Sequence, residues 1–156
     1  ESAEETREAG RRLAAELKSG DILCFYGGLG SGKTTMIQGI ADGLKVQSDY
    51  VHSPTFTLMN VYDHGRIPLY HFDMYRIDEP QQMFDIGYDE FLYGEGIAVV
   101  EWSERFGPYL PAAYLRMELT FVDEHQRRVE MTAVGAGYDR VLQRLARPAA
   151  GGKGRS

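Results

Sequence analysis

The 156-residue sequence contains a single cysteine, Cys24, and a single tryptophan, Trp102. One thiol cannot close an internal disulfide, so the fold has to hold together without a covalent staple. Cys24 lies inside the apolar run DILCFY and is expected in the core. The four histidines, His52, His64, His71 and His125, have none of the spacings of a zinc site. No window approaches the roughly 18 to 20 apolar residues a membrane-spanning helix requires, and the opening ESAEETREAGRRLAAELKSG is charged, so a cytoplasmic protein is expected. Basic residues are also in short supply: 17 Lys and Arg against 23 Asp and Glu leave a net charge of -6. That balance argues against holding nucleic acid by the chain's own electrostatics, which takes a surplus of cations. The deficit is uneven, because from His125 to Ser156 seven Lys or Arg face only Glu130 and Asp139. A solvated helix face with a basic tail fits this segment, and so does a contact with an acidic partner or RNA.

What the chain does have is 43% hydrophobic residues, enough at this length to bury a core. One domain is expected over residues 1–147, followed by PAAGGKGRS (148–156) as a disordered tail. Ser2 and Glu5 fit a capping box, and Ala9, Leu13, Ala14 and Leu17 recur at helical spacing, predicting a first helix to about Lys18. DILCFY reads as a strand buried on both faces, and Lys33 to about Leu44 as a helix closing near Gly43. FTLMNVY and IPLYHFDMY, joined through Gly65, predict an antiparallel pair. QQMFDIGYDEFLY predicts a short helix broken at Gly87, and GIAVVEW another buried strand. Two alternating runs, YLRMELTFV and RRVEMTAV, precede a helix from Asp139 to about Arg147. Helices alternating with buried strands and then hairpins predict an α/β fold, a mixed β-sheet with helices on both faces, and the glycine-rich GGLGSGKT at Gly27 to Thr34 makes the expected fold P-loop NTPase-like.

Between the first buried strand and the second helix stands GGLGSGKT, Gly27 to Thr34, which matches the phosphate-loop pattern in the strand-loop-helix setting that pattern needs. Converging backbone N–H groups on phosphate oxygens takes unusual torsions and close approach without Cβ atoms, which glycine supplies. The helix N-terminus adds a favourable dipole. The predicted nucleotide contacts are Gly28, Leu29, Gly30, Ser31, Gly32, Lys33, Thr34 and Thr35, with Lys33 as a mobile charge for the β- and γ-phosphates and the Thr34 hydroxyl as a magnesium ligand. A carboxylate at the end of a neighbouring apolar strand normally holds the metal or its waters. Glu101, directly after IAVV, and Asp73, ending LYHF, are so placed. The only asparagine is Asn60, followed by Val61, and no aspartate has glycine three positions on. The Asn-Lys-x-Asp element and the Asp-x-x-Gly switch of switch GTPases are thus both missing, which favours ATP.

With GGLGSGKTT at Gly27 to Thr35, SPTF at Ser53 to Phe56, HFDMYR at His71 to Arg76 and VEW at Val100 to Trp102, the chain resembles the TsaE (YjeE) family of P-loop ATPases in bacterial tRNA threonylcarbamoyladenosine biosynthesis. The likeness spans about Thr6 to Leu110 and departs at Gly28, where many relatives carry aspartate. It implies that Lys33 and Thr34 bind phosphate and Mg2+, that Glu101 is the acid of the metal site, and that Asp73 assists the metal or orients the attacking water. It implies further that Thr55 lies in a switch-like loop near the γ-phosphate and that Trp102 matters for activity. The implied partners are TsaB and TsaD, which with TsaC modify the adenosine beside the anticodon in tRNAs reading ANN codons, with tRNA held mainly by those partners. Two other readings of the residues stay open. A small-molecule kinase shares the loop but usually needs an arginine-bearing lid, and mid-chain this sequence offers only Arg66, Arg76 and Arg105. A nucleotide-sensing module would bind ATP and barely hydrolyse it.

Overall fold

In the computed structural model, helix α1 (Ala3–Ala14) is followed by β1 (Ile22–Tyr26), α2 (Lys33–Gly43), β2 (Met59–Tyr62), β3 (Leu69–Asp73), α3 (Tyr88–Leu92), β4 (Ile97–Glu101), β5 (Tyr114–Asp123), β6 (Gln126–Val134) and α4 (Asp139–Ala146). The residues described are 3–27, 32–46, 59–62, 65–73, 79, 81, 85, 87–101, 103 and 110–146. The strands form one sheet in the order β2-β3-β4-β1-β5-β6. Its middle, β3-β4-β1-β5, is parallel, and β2 and β6 add antiparallel edges. The predicted mixed sheet with helices on both faces is therefore the observed one.

The side-chain period of two divides each central strand between two cores. Leu23, Phe25, Leu69, Ile97 and Val99 point toward α1, α2 and α4 and join Leu13, Met36, Ile37, Ile40 and Val141. Ile22, Cys24, Phe72, Ala98 and Val100 point the other way, onto Tyr88 and Leu92 of α3. Burial on both faces explains why DILCFY and GIAVVEW are continuously apolar rather than alternating. Helix α3 starts where Gly87 adopts φ 85°, the break predicted there. Helix α1 stops at Ala14, four residues short of its predicted end; Glu16 and Leu17 donate to the Leu13 and Ala14 carbonyls in a tighter turn that still buries Leu17.

Helices α1 and α2 touch backbone to backbone. A Cβ on Gly39 would lie 2.1 Å from the Arg7 carbonyl oxygen, and one on Gly10 would lie 2.4 Å from that of Met36. Glycine is needed on both helices at this crossing, and Arg7 and Arg11 clamp it by pairing with Asp42 at 3.1 and 3.4 Å. The contact sets where the start of α2, and with it Lys33, stands relative to the sheet.

Candidate nucleotide site

The C-terminal ends of β1, β3 and β4 come together at one edge of the sheet, the edge at which open α/β sheets bind ligands. Cys24 pairs with Val100, so Glu101 stands one residue beyond that pair, beside the exit of β1. Asp73 and Glu101 are partners in the β3–β4 register, which brings both predicted acids side by side. Glu101 is 2% exposed and Asp73 half-buried.

From the same edge the chain enters α2 through Gly32, whose φ of 100° and ψ of 12° are left-handed. A Cβ there would meet nothing closer than Leu119 Cδ2 at 3.7 Å, so the torsion rather than crowding calls for glycine. Among the described residues the first turn of α2 carries neither a side-chain cap nor an acid, the setting in which a helix terminus favours an incoming anion. Lys33 is buried, 6% exposed, and its Nζ donates to the Gly27 carbonyl at the loop's first residue. Thr34 and Thr35 follow on the first turn, both half-buried. Gly28, Leu29, Gly30, Ser31, Thr55 and Trp102 lie outside the described residues.

The donor set fits magnesium. Among the described residues no group of three or more His, Cys, Asp or Glu could hold a metal ion. Mg2+ takes only one or two carboxylates and completes its shell with water and phosphate oxygens, and the pair Asp73 and Glu101 with the Thr34 hydroxyl is of that kind.

Two features were not read from the sequence. His71 is wholly buried, with Nε2 2.5 Å from Glu101 Oε2. Its position two residues before Asp73 on one strand, hence on the same face, was the available signal. A cleft of about 120 Å³ beside the start of α2 is lined by Ala3, Thr6, Gly32, Thr35, Glu124 and Arg127. It joins α1 to the β5–β6 turn across more than a hundred residues, and no local pattern announces it. Arg127 is held there over the Phe121 ring, 4.6 Å from its centroid, and donates to the Asp123 and Gln126 carbonyls. Cys24 is excluded as a nucleophile: burial pushes its thiol up to about 12, against a smaller opposing effect of the hydrogen bond with Ser103.

The family model described as "Threonylcarbamoyl adenosine biosynthesis protein TsaE" matches residues 1–129. The chain belongs to the TsaE family. It is 38% identical to the tRNA threonylcarbamoyladenosine biosynthesis protein TsaE of Bacillus subtilis, covering 92% of this chain and 89% of that protein. It is 44% identical to the TsaE of a Nostoc species, covering 83% and 80%. The crystal structure of Bacillus subtilis YdiB superposes with a TM-score of 0.78 at 34% identity, over 94% of this chain and 90% of that one. TsaE membership gives the sheet edge a context in tRNA threonylcarbamoyladenosine biosynthesis. No helix among the described residues is long and apolar enough to cross a membrane.

Proposed function

We propose that this TsaE-family chain binds ATP with Mg2+ and hydrolyses it to ADP and phosphate. We further propose that hydrolysis drives cycling of a TsaB and TsaD assembly that modifies the adenosine next to the anticodon in tRNAs reading ANN codons. The observation that carries the reading is the meeting, at one sheet edge, of a glycine-started helix bearing Lys33 with the paired strand ends Asp73 and Glu101. Lys33 exchanges its loop carbonyl for phosphate oxygens, a charge-assisted contact made stronger by burial. Thr34, Glu101 and Asp73 hold the metal, which when bound neutralises charge on the phosphates. Asp73, the more exposed acid, orients the attacking water. The cleft at Thr6 and Arg127 opens beside Gly32 and Thr35 and takes the nucleoside. Thr55 couples the γ-phosphate to the partners, and Trp102 supports activity. The net charge of -6 favours tRNA being held by those partners.

Calorimetry with ATP and Mg2+ tests the binding half. Lys33→Ala should lose roughly 1.5 to 3 kcal/mol, about one to two decades of affinity, while its thermal melt stays cooperative. Unchanged affinity would remove the phosphate-loop reading. The partner half is tested by measuring binding to an immobilised TsaB–TsaD assembly, which should be tighter with ATP than with ADP, the gap narrowing in Thr55→Ala. Equal affinities would reject the coupling.

A further inference from the structure

His71 is a wholly buried imidazole that the phosphate-site reading leaves without a role. It lies on β3 in register with Val99 of β4, so it shares a sheet face with Asp73 and Glu101. Its Nε2 stands 2.5 Å from Glu101 Oε2, while Nδ1 has no hydrogen-bond partner among the described residues. A carboxylate can only accept, which assigns the proton to Nε2 and leaves Nδ1 as a bare lone pair. A proton on Nδ1 would instead bury an unanswered donor. The bond therefore sets both the tautomer of the ring and the rotation of the carboxylate about its terminal torsion, which is otherwise broad.

We propose that His71 is a positioning residue for the metal site: by donating from Nε2 to Oε2 it presents the Glu101 carboxylate to magnesium in a preset orientation. Partners one step removed from a metal typically carry about 10- to 100-fold in metal affinity or activity. The proposal rests on the reading of Glu101 as a metal ligand, and the experiment separates the two. ADP affinity is measured by calorimetry without metal and across a Mg2+ titration, for wild type, His71→Leu, His71→Gln and Glu101→Gln, with thermal melts for each. His71→Leu should raise the half-saturating Mg2+ concentration by about tenfold or more while metal-free ADP affinity stays within about twofold. His71→Gln, which can keep a donor near the place of Nε2, should recover most of the loss. A melting loss in both His71 variants with an unaltered Mg2+ requirement overturns the proposal and leaves a structural histidine. An unaltered Mg2+ requirement in Glu101→Gln overturns the metal-ligand reading, and the positioning role falls with it. Long-range proton–nitrogen correlation on the wild-type protein needs no variant to fold. It should find a slowly exchanging proton on His71 Nε2 that shifts in Glu101→Gln, and its absence from Nε2 overturns the proposal.

Discussion

Asp21 and Glu101 are both acids at the boundary of an apolar strand, and they are 4% and 2% exposed, yet they stand at opposite ends of the sheet in opposite company. Asp21 precedes β1. Its Oδ1 meets Arg140 Nη2 at 2.6 Å and its Oδ2 accepts from the Lys18 amide at 2.8 Å. Next to it the Ile22 amide donates to the Tyr138 hydroxyl, so this edge ties α4 to the central strand. Glu101 ends β4, where it is held by an imidazole beside a second carboxylate and a helix start. Burial of an acid is thus no sign of function in itself. In a parallel sheet the decisive property is the strand end on which the acid falls, because loops and helix N-termini converge only at the C-terminal ends. A cation and a backbone amide engage the two oxygens of Asp21, whereas the other edge brings two register-paired acids and an imidazole together, and the chemistry proposed for it is that of magnesium and phosphate.

The largest effect should come from the edge proposed to carry the hydrolysis. Glu101→Gln is expected to slow ATP hydrolysis by about 100-fold or more, measured as phosphate release, while metal-free ATP affinity by calorimetry changes by less than about threefold. Asp21→Asn in the same two assays should match wild type. Comparable loss of turnover in both variants would break the distinction between the two edges.

The intermediate effect reverses the roles. Asp21→Asn should lower stability by about 1 to 3 kcal/mol in denaturant titrations, the upper part of the range for a fully buried pair being discounted because the Arg140 side chain is 35% exposed and can turn to water. The melting temperature should fall roughly 2 to 4 °C for each kcal/mol.

The smallest effect sharpens the contrast between the two cores. Cys24 faces α3 and its thiol is pushed up to about 12 by burial, so alkylation at pH 8 should be blocked in the native protein and rapid in denaturant. The folded chain keeps a proton that the unfolded chain sheds, so the thiol's contribution to stability is full below the ordinary thiol range. It is lost as pH rises toward about 12. Labelling of native Cys24 at pH 8 at the denatured rate would show that this core opens locally.

Much of the fold was legible because its signals are local. Apolar runs without alternation marked β1 and β4, Gly65 marked the β2–β3 connection, and Gly87 marked the start of α3. The basic C-terminal segment was not legible in the same way. It read as a charged face, but the fold divides it, sending Arg140 to Asp21, Arg144 to Glu16 and Arg127 to the cleft by Gly32.

By itself the sequence determined the phosphate-loop pattern, the order of strands and helices and the candidate acids Asp73 and Glu101, because hydrophobic period and glycine torsions act within a few residues. Only the tertiary structure decided that those acids are register partners and that His71 holds one of them. It alone brought Gly10 against Gly39's helix and Thr6 near Arg127. Those relations join residues tens to more than a hundred positions apart, and their geometry follows from strand order and helix packing, which no short window of sequence contains.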